Sequence, residues 1–347
     1  MNIQTKPYKA VSFVRSAIEK ALETSGYLIA DTKHDGVRGN ICVDNTANAA
    51  WLSRVSKTIP ALEHLNGFDQ RWQKLLKDDR WIFPDGFMLD GELMVKGVDF
   101  NTGSGLLRTK WLKKGNMQFD VGGPYEQWEP DMKGQPFALH PSHLKVVLYD
   151  IIPLDIIESG DDYSVMTLLR LEHVKVALPV LQDHFPEVKW CLSESHEVYD
   201  MDELDALYRQ KREEGHEGLV VKDPRGIYKR GKKSGWWKLK PENEADGVVV
   251  GLNWGTPGLA NEGKVIGFEV LLESGRVVSA NNISQALMEE FTRAVEATAD
   301  HYEGSYTNPY EGWACQIKYM EETPDGSLRH PSFDKWRGTE ADPTIKM

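Results

Sequence analysis

Residues 27–45 read YLIADTKHDGVRGNICVDN, and the interpretation of this stretch decides the rest. YLIADT is a short apolar run of strand character that enters the polar turn KHDG, and ICVDN reads as its hairpin partner. Alternation along an extended segment puts Lys33 and Asp35 on one face, while Gly36 permits a tight bend. Lys33, Asp35, Gly36 and Arg38 at fixed spacing, at roughly 6–7% frequency each, would arise by chance in about 0.5% of chains this long. One such lysine alone would be a surface charge.

Three further stretches set charge into apolar strands. FMLDGELMV (87–95) carries Asp90 and Glu92, an expensive placement unless the carboxylates meet cations or a ligand. EGLVVKD (217–223) flanks an apolar run with Glu217 and Lys222. GWWKLK (235–240) puts Lys238 and Lys240 on one strand face and Leu239 on the other, and two such ammoniums call for an anion such as phosphate between them. Buried ion pairs or snorkelling lysines would account for each stretch singly. They do not account for the ordered set.

Helical spacing covers 8–24, 165–182 and 201–214, and LKVVLYDII (144–152) is a further strand. Residues 110–142 are rich in Lys, Gly and Pro with little periodicity, which predicts a long surface insertion. Pro241-Glu-Asn-Glu is a candidate hinge. Beyond it ADGVVVGLNWG, the hairpin VIGFEVLLESGRVVSANN, a helix at 283–300 and short strands near 313–319 and after 328 follow the pattern of an OB-type barrel. The expected fold class is α+β: a domain of antiparallel sheets with helices over 1–240, then a small OB-type β-barrel domain over 241–347.

The chain has 347 residues, 40% apolar and 27% charged, enough for two ordinary domains. Its three cysteines (Cys42, Cys191, Cys315) have no metal-ligand spacing, which excludes a disulfide scaffold and a Cys-based zinc finger and suits a reducing interior. No apolar run is long enough to span a membrane, and the first residues lack a signal-peptide core. The net charge of −12 argues against a nucleic-acid partner when taken alone. However, Glu242–Met347 holds 18 acidic and 8 basic residues, whereas Lys222–Lys240 holds eight basic residues and one acidic.

Taken in order, K-x-D-G-x-R, D-G-E, an aromatic strand, E-G-L-V-V-K and W-K-L-K resemble the covalent nucleotidyltransferases. Within them the chain is similar to the ATP-dependent DNA ligases, most closely the short two-domain ligases of T-odd bacteriophages, over nearly its whole length. The resemblance makes the first domain an adenylation (nucleotidyltransferase) domain and implies sealing of nicked duplex DNA through a lysyl-AMP intermediate. Lys33 would be the nucleophile. Asp31, where the family commonly has Glu, would take the adenine amino group with help from the Thr32 backbone. Arg38 and Arg54 would meet phosphates, Glu92 the ribose and a metal, and Tyr149 the adenine face. Glu217 would be a metal ligand, and Lys222, Lys238 and Lys240 would contact the α-phosphate. Arg329, Lys335 and Arg337, in R-H-P-S-F-D-K-W-R, match the last ligase motif and would close over pyrophosphate, although the Lys usual after it is missing.

The implied cofactors are ATP and Mg²⁺ or another divalent cation. The implied setting is a cytoplasmic monomer without membrane contact, in a host cytoplasm if the chain is of phage origin. An RNA ligase, an mRNA-capping-type guanylyltransferase and a non-catalytic nucleic-acid-binding OB protein are the alternatives. An NAD⁺-dependent ligase is disfavoured, because Lys33 leaves no room for an upstream nicotinamide-binding domain and no Cys₄ site follows.

Overall fold

The computed structural model describes residues 2–299, 305–323 and 325–338. Contacts divide the chain into two compact units. The first comprises residues up to Val11, Glu23–Glu197 and Lys222–Trp236; the second comprises Ser12–Leu22, Val198–Val221 and the chain from Trp237 on.

The first unit opens with strand β1 (Tyr8–Ser12), where helical spacing had predicted a helix from residue 8; the helix begins only at Arg15. A tertiary contact overrides the local pattern. Tyr8 is buried, its ring stacks on Trp236 at 4.4 Å, and its hydroxyl donates to the Ser234 carbonyl (2.7 Å). Next come β2 (Leu28–Lys33), β3 (Val37–Asp44), β4 (Asn48–Ser53), β5 (Gly86–Val95), β6 (Leu144–Pro153) and β7 (Lys189–Leu192). With Gly67–Phe68 at one edge, β4-β3-β5-β6-β7 form a six-stranded sheet in that order. Its pairs are antiparallel except β6 with β7, which runs parallel.

β2 and β3 are not hairpin partners. β3 lies between β4 and β5, whereas β2 belongs to a second sheet, beside β8 (Ser195–Val198). The KHDG turn therefore hands the chain from one sheet to the other, with Lys33 as the last residue of β2. The core behind the six-stranded sheet gathers Trp51, Trp72, Phe87, Leu89, Val146 and Trp190. Leu112, Phe119, Phe137 and Leu139 join it, so the surface insertion 110–142 is anchored to this core at four positions while most of its residues stay exposed. β9 (Gly218–Lys222) and β10 (Gly231–Leu239) complete the strands read from EGLVVK and WWKLK.

The second unit carries β11 (Asn243–Trp254), β12 (Val265–Leu272), β13 (Val277–Ala280), β14 (Ala314–Tyr319) and β15 (Ser332–Gly338). They form one antiparallel sheet in the order β13-β12-β11-β14-β15. Just past β13, a single bridge from Asn281 to Ser332 brings the two edges together, the curl of an OB-type fold. The helix Gln285–Glu296, capped by Ser284, drives Met288, Phe291 and Val295 into a core with Phe268, Ile317 and Phe333. The expected hinge is short. Asn243 and Glu244 already pair with Tyr319 and Lys318. The final residues of the expected 241–347 domain lie outside the described residues, as does Asp300 at the end of the expected helix.

Candidate active site

In the first unit, the K-x-D-G turn packs directly on Glu92. A Cβ on Gly36 would fall 2.7 Å from Glu92 Cγ and 2.7 Å from the Leu93 carbonyl, so this glycine is demanded by close approach rather than by an unusual φ. Glu92 stands across the ladder from Arg38, and its Oε2 accepts the Tyr149 hydroxyl at 3.0 Å. Burial pushes its carboxyl up to about 7, with Arg38, Lys33 and the Tyr149 hydroxyl pulling the other way only in part.

Tyr149 owes its aim to a β-bulge. Asp90 pairs with Asp150 and Gly91 with Leu148, which leaves Tyr149 as the extra residue on β6. The bulge brings the strands so close that a Cβ on Gly91 would sit 2.5 Å from the Val147 carbonyl. The glycine of D-G-E is thus the condition for Tyr149 to face Glu92.

Arg38 is clamped. Its Nε and Nη2 donate to the two Asp90 oxygens at 2.6 and 2.7 Å, and Nη2 also reaches the Tyr8 carbonyl (3.1 Å). Burial opposes its charge, but Asp90 more than offsets this and holds the guanidinium protonated. Asp90, fully buried, further accepts from Asn40 Nδ2 (2.9 Å) and the Tyr228 hydroxyl (2.7 Å). The guanidinium lies 5.1 Å from the Tyr149 ring centre.

Lys222 is equally fixed. It is 2% exposed, its Nζ meets Asp31 Oδ2 at 2.6 Å, and it lies 4.3 Å over the Trp236 ring and 5.5 Å over Tyr149. Asp31 also accepts the Ser195 hydroxyl (2.5 Å), and the Thr32 N–H donates to the Glu194 carbonyl (2.9 Å). Lys33, Asp31, Arg38, Glu92, Tyr149 and Lys222 therefore form one constellation in the first unit. Arg54 is exposed in the turn after β4, and no contact ties it to the others among the described residues.

The remaining expected residues lie in the second unit. Lys240 Nζ pairs with Glu217 (2.7 Å) and Lys238 Nζ with Glu242 (2.6 Å). Gly218, beside Glu217, adopts φ +150°, and a Cβ there would collide with the Leu239 carbonyl at 1.9 Å. Arg329 donates to Asp205 (2.6 Å) and lies 4.7 Å over the Phe13 ring, while Arg337 faces Asp246 at 3.3 Å. Lys335 lies opposite Gln316 in the sheet and is exposed.

No three His, Cys, Asp or Glu side chains converge as a metal cage among the described residues.

Comparison with known proteins points one way. A family model described as the ATP dependent DNA ligase domain matches residues 7–240, and the DNA ligase C-terminal domain matches 241–337. The DNA ligase of Escherichia phage T7 is 67% identical over the full length of both chains, and that of Enterobacteria phage T3 is 66% identical, also over both full lengths. The chain belongs to the ATP-dependent DNA ligases. The solved ATP-dependent DNA ligase from bacteriophage T7 in complex with ATP matches with a TM-score of 0.89 at 68% identity, covering 97% of this chain and all of that one. The chlorella virus DNA ligase-adenylate shares the fold at a TM-score of 0.53 and 21% identity, over 96% of this chain and all of that one. The ligase seals nicks in duplex DNA at the expense of ATP.

Sequence reading of the ligase named the D-G-E and W-W-K-L-K stretches but gave Asp90 and Trp236 no task. The burial of Asp90 in an apolar strand was a usable signal for a cation partner. Ser195, Tyr228 and Asp205 had none, because their partners Asp31, Asp90 and Arg329 lie more than a hundred residues away in the chain.

Proposed function

We propose that Lys33 is the residue on which the ligase carries AMP. Its Nζ, once deprotonated, attacks the α-phosphorus of ATP; the N–P bond forms as the bond to pyrophosphate breaks. AMP then passes to the 5′-phosphate at a nick, freeing Lys33, and the adjacent 3′-hydroxyl displaces AMP to form the phosphodiester. The observation that carries this reading is the constellation in the first unit: a lysine at a strand end, facing Glu92, with Arg38 and Lys222 anchored by buried carboxylates around Tyr149.

In this reading Tyr149 stacks on adenine, and Asp31 and the Thr32 backbone read its edge. Arg38 and Arg54 hold phosphates, and Glu92 holds the ribose. Lys222, Lys238 and Lys240 neutralise the α-phosphate, and Arg329, Lys335 and Arg337 meet pyrophosphate. Mg²⁺ or another divalent cation, held by Glu92 and Glu217 with the ATP phosphates, would offset charge on the leaving group. Residues 1–240 and 241–347 are the adenylation and OB domains, and the ligase acts as a cytoplasmic monomer.

Incubation with Mg²⁺ and α-labelled ATP should leave label on the protein, and Lys33→Ala should abolish it. An unlabelled wild-type chain, or label retained by Lys33→Ala, overturns the proposal. Nicked DNA should be sealed far better than nicked RNA duplex.

A further inference from the structure

The stretch from Lys96 to Lys114 takes no part in the constellation around Lys33. It holds five basic side chains (Lys96, Arg108, Lys110, Lys113, Lys114) and one acidic, in a chain whose net charge is −12. The single acid, Asp99, is committed to capping the helix Phe100–Arg108, accepting from the Thr102 N–H (2.9 Å) and hydroxyl (3.0 Å). Arg108, Lys110, Lys113 and Lys114 are exposed, and no ion pair neutralises them among the described residues.

Among these cations stands Trp111, 47% exposed, the most exposed of the eleven tryptophans. The Lys110 ammonium lies 5.2 Å over its ring. The backbone beneath is held firmly. Leu112 is buried as an anchor and its N–H donates to the Gln135 carbonyl (2.8 Å); the Lys110 carbonyl accepts from Phe137 N–H (2.9 Å). The Lys113 N–H donates to Asn116 Oδ1 (2.7 Å), and Asn116 is itself buried. With Leu112 turned inward, alternation turns Trp111 and Lys113 outward. A solvated charged strip needs neither a half-exposed indole nor a fixed backbone, because Trp is ordinarily well buried.

We propose that residues 108–114 form a sequence-independent binding surface for the sugar–phosphate backbone of duplex DNA flanking the nick. The cations take phosphates and the Trp111 indole packs on deoxyribose. Charge complementarity selects this occupant: the strip is a concentrated, unpaired positive patch on an acidic protein, and the substrate is a polyanion. The inference rests on DNA as substrate, not on the roles proposed around Lys33.

The test uses the full chain carrying Lys113→Ala with Lys114→Ala, and separately Trp111→Ala. Binding to nicked duplex is measured between about 50 and 200 mM salt, a range over which phosphate contacts show their salt dependence. Losing two phosphate contacts should lower the slope of log K against log salt by about 1.8 and weaken binding up to about 30-fold at 0.15 M salt. The KM for nicked duplex should rise in step, and Lys113→Arg with Lys114→Arg should restore the slope. Trp111→Ala should raise KM without changing the slope. Labelling by ATP in the absence of DNA should be unchanged in all variants. An unaltered slope and KM in the double variant overturn the proposal, as does an equal loss of labelling and sealing. Labelling without DNA reports on the Lys33 reading alone, so the two failures are distinguishable.

Discussion

Replacing Glu92 with Gln should stabilise the protein at neutral pH while removing its adenylylation. Glu92 sits half-buried between Tyr149 and the K-x-D-G turn, and burial holds its carboxyl near 7 against an ordinary 4.5. The gap of roughly 2.5 pH units corresponds to about 3 kcal/mol. The folded state binds this proton more tightly than the unfolded chain does. Its contribution to stability is therefore full below about 4.5 and is lost as pH rises through about 7. Glutamine mimics the protonated side chain at every pH and keeps a group able to meet the Tyr149 hydroxyl. Urea unfolding from pH 4.5 to 8 should find the two proteins alike at the acid end. They should diverge until the Gln variant leads by about 3 kcal/mol at pH 8. In the proposed mechanism the ionised carboxylate makes the ribose or metal contact, so wild-type labelling by ATP should rise through pH 7 and the variant's should stay low. A stability difference that is constant across this pH range would refute the reasoning, since no titration of Glu92 could then underlie it.

Asp90→Leu should cost about 3–5 kcal/mol in urea unfolding, because it leaves the Arg38 guanidinium, Asn40 and the Tyr228 hydroxyl without their common acceptor. A loss below about 1 kcal/mol would mean that water reaches this network. Gly91→Ala should lower stability by about 1–3 kcal/mol and labelling with it, since the new Cβ would meet the Val147 carbonyl at 2.5 Å and flatten the bulge that aims Tyr149. Thermal unfolding and an ATP-labelling assay on the same preparation check both effects.

The strands bearing the candidate site residues were legible because each sets charge into an apolar run, which only a partner or ligand can sustain. Glu92, Lys222 and Lys238 lie on β5, β9 and β10, the strands those runs predicted, although β10 starts at Gly231, four residues before the run does. The connection between β2 and β3 was not legible. Two strands separated by a short polar turn look alike whether they pair with each other or diverge into different sheets, and the choice is made by Arg38 and Asn40 reaching Asp90 on β5. The start of the first helix was misplaced for the same reason, since the aromatic stack of Tyr8 on Trp236 is invisible to local periodicity. The 110–142 segment shows little periodicity because its buried residues, Leu112, Phe119, Phe137 and Leu139, plug one core from an irregular backbone.

Most of the cations assigned to phosphates already hold carboxylates: Arg38 on Asp90, Lys222 on Asp31, Lys240 on Glu217, Lys238 on Glu242, Arg329 on Asp205 and Arg337 on Asp246. The acidic surplus of the chain is thus partly spent in fixing its own cations. The two buried pairs orient side chains at little flexibility, and an incoming phosphate can share them only through nitrogens left over, such as Nη1 of Arg38. The half-exposed pairs of Lys238, Lys240 and Glu217 can open, because such contacts contribute at most about 1 kcal/mol. Phosphate binding should therefore reorganise the second set and leave the first in place. The cations at 108–114, with no carboxylate to displace among the described residues, meet DNA at no such cost.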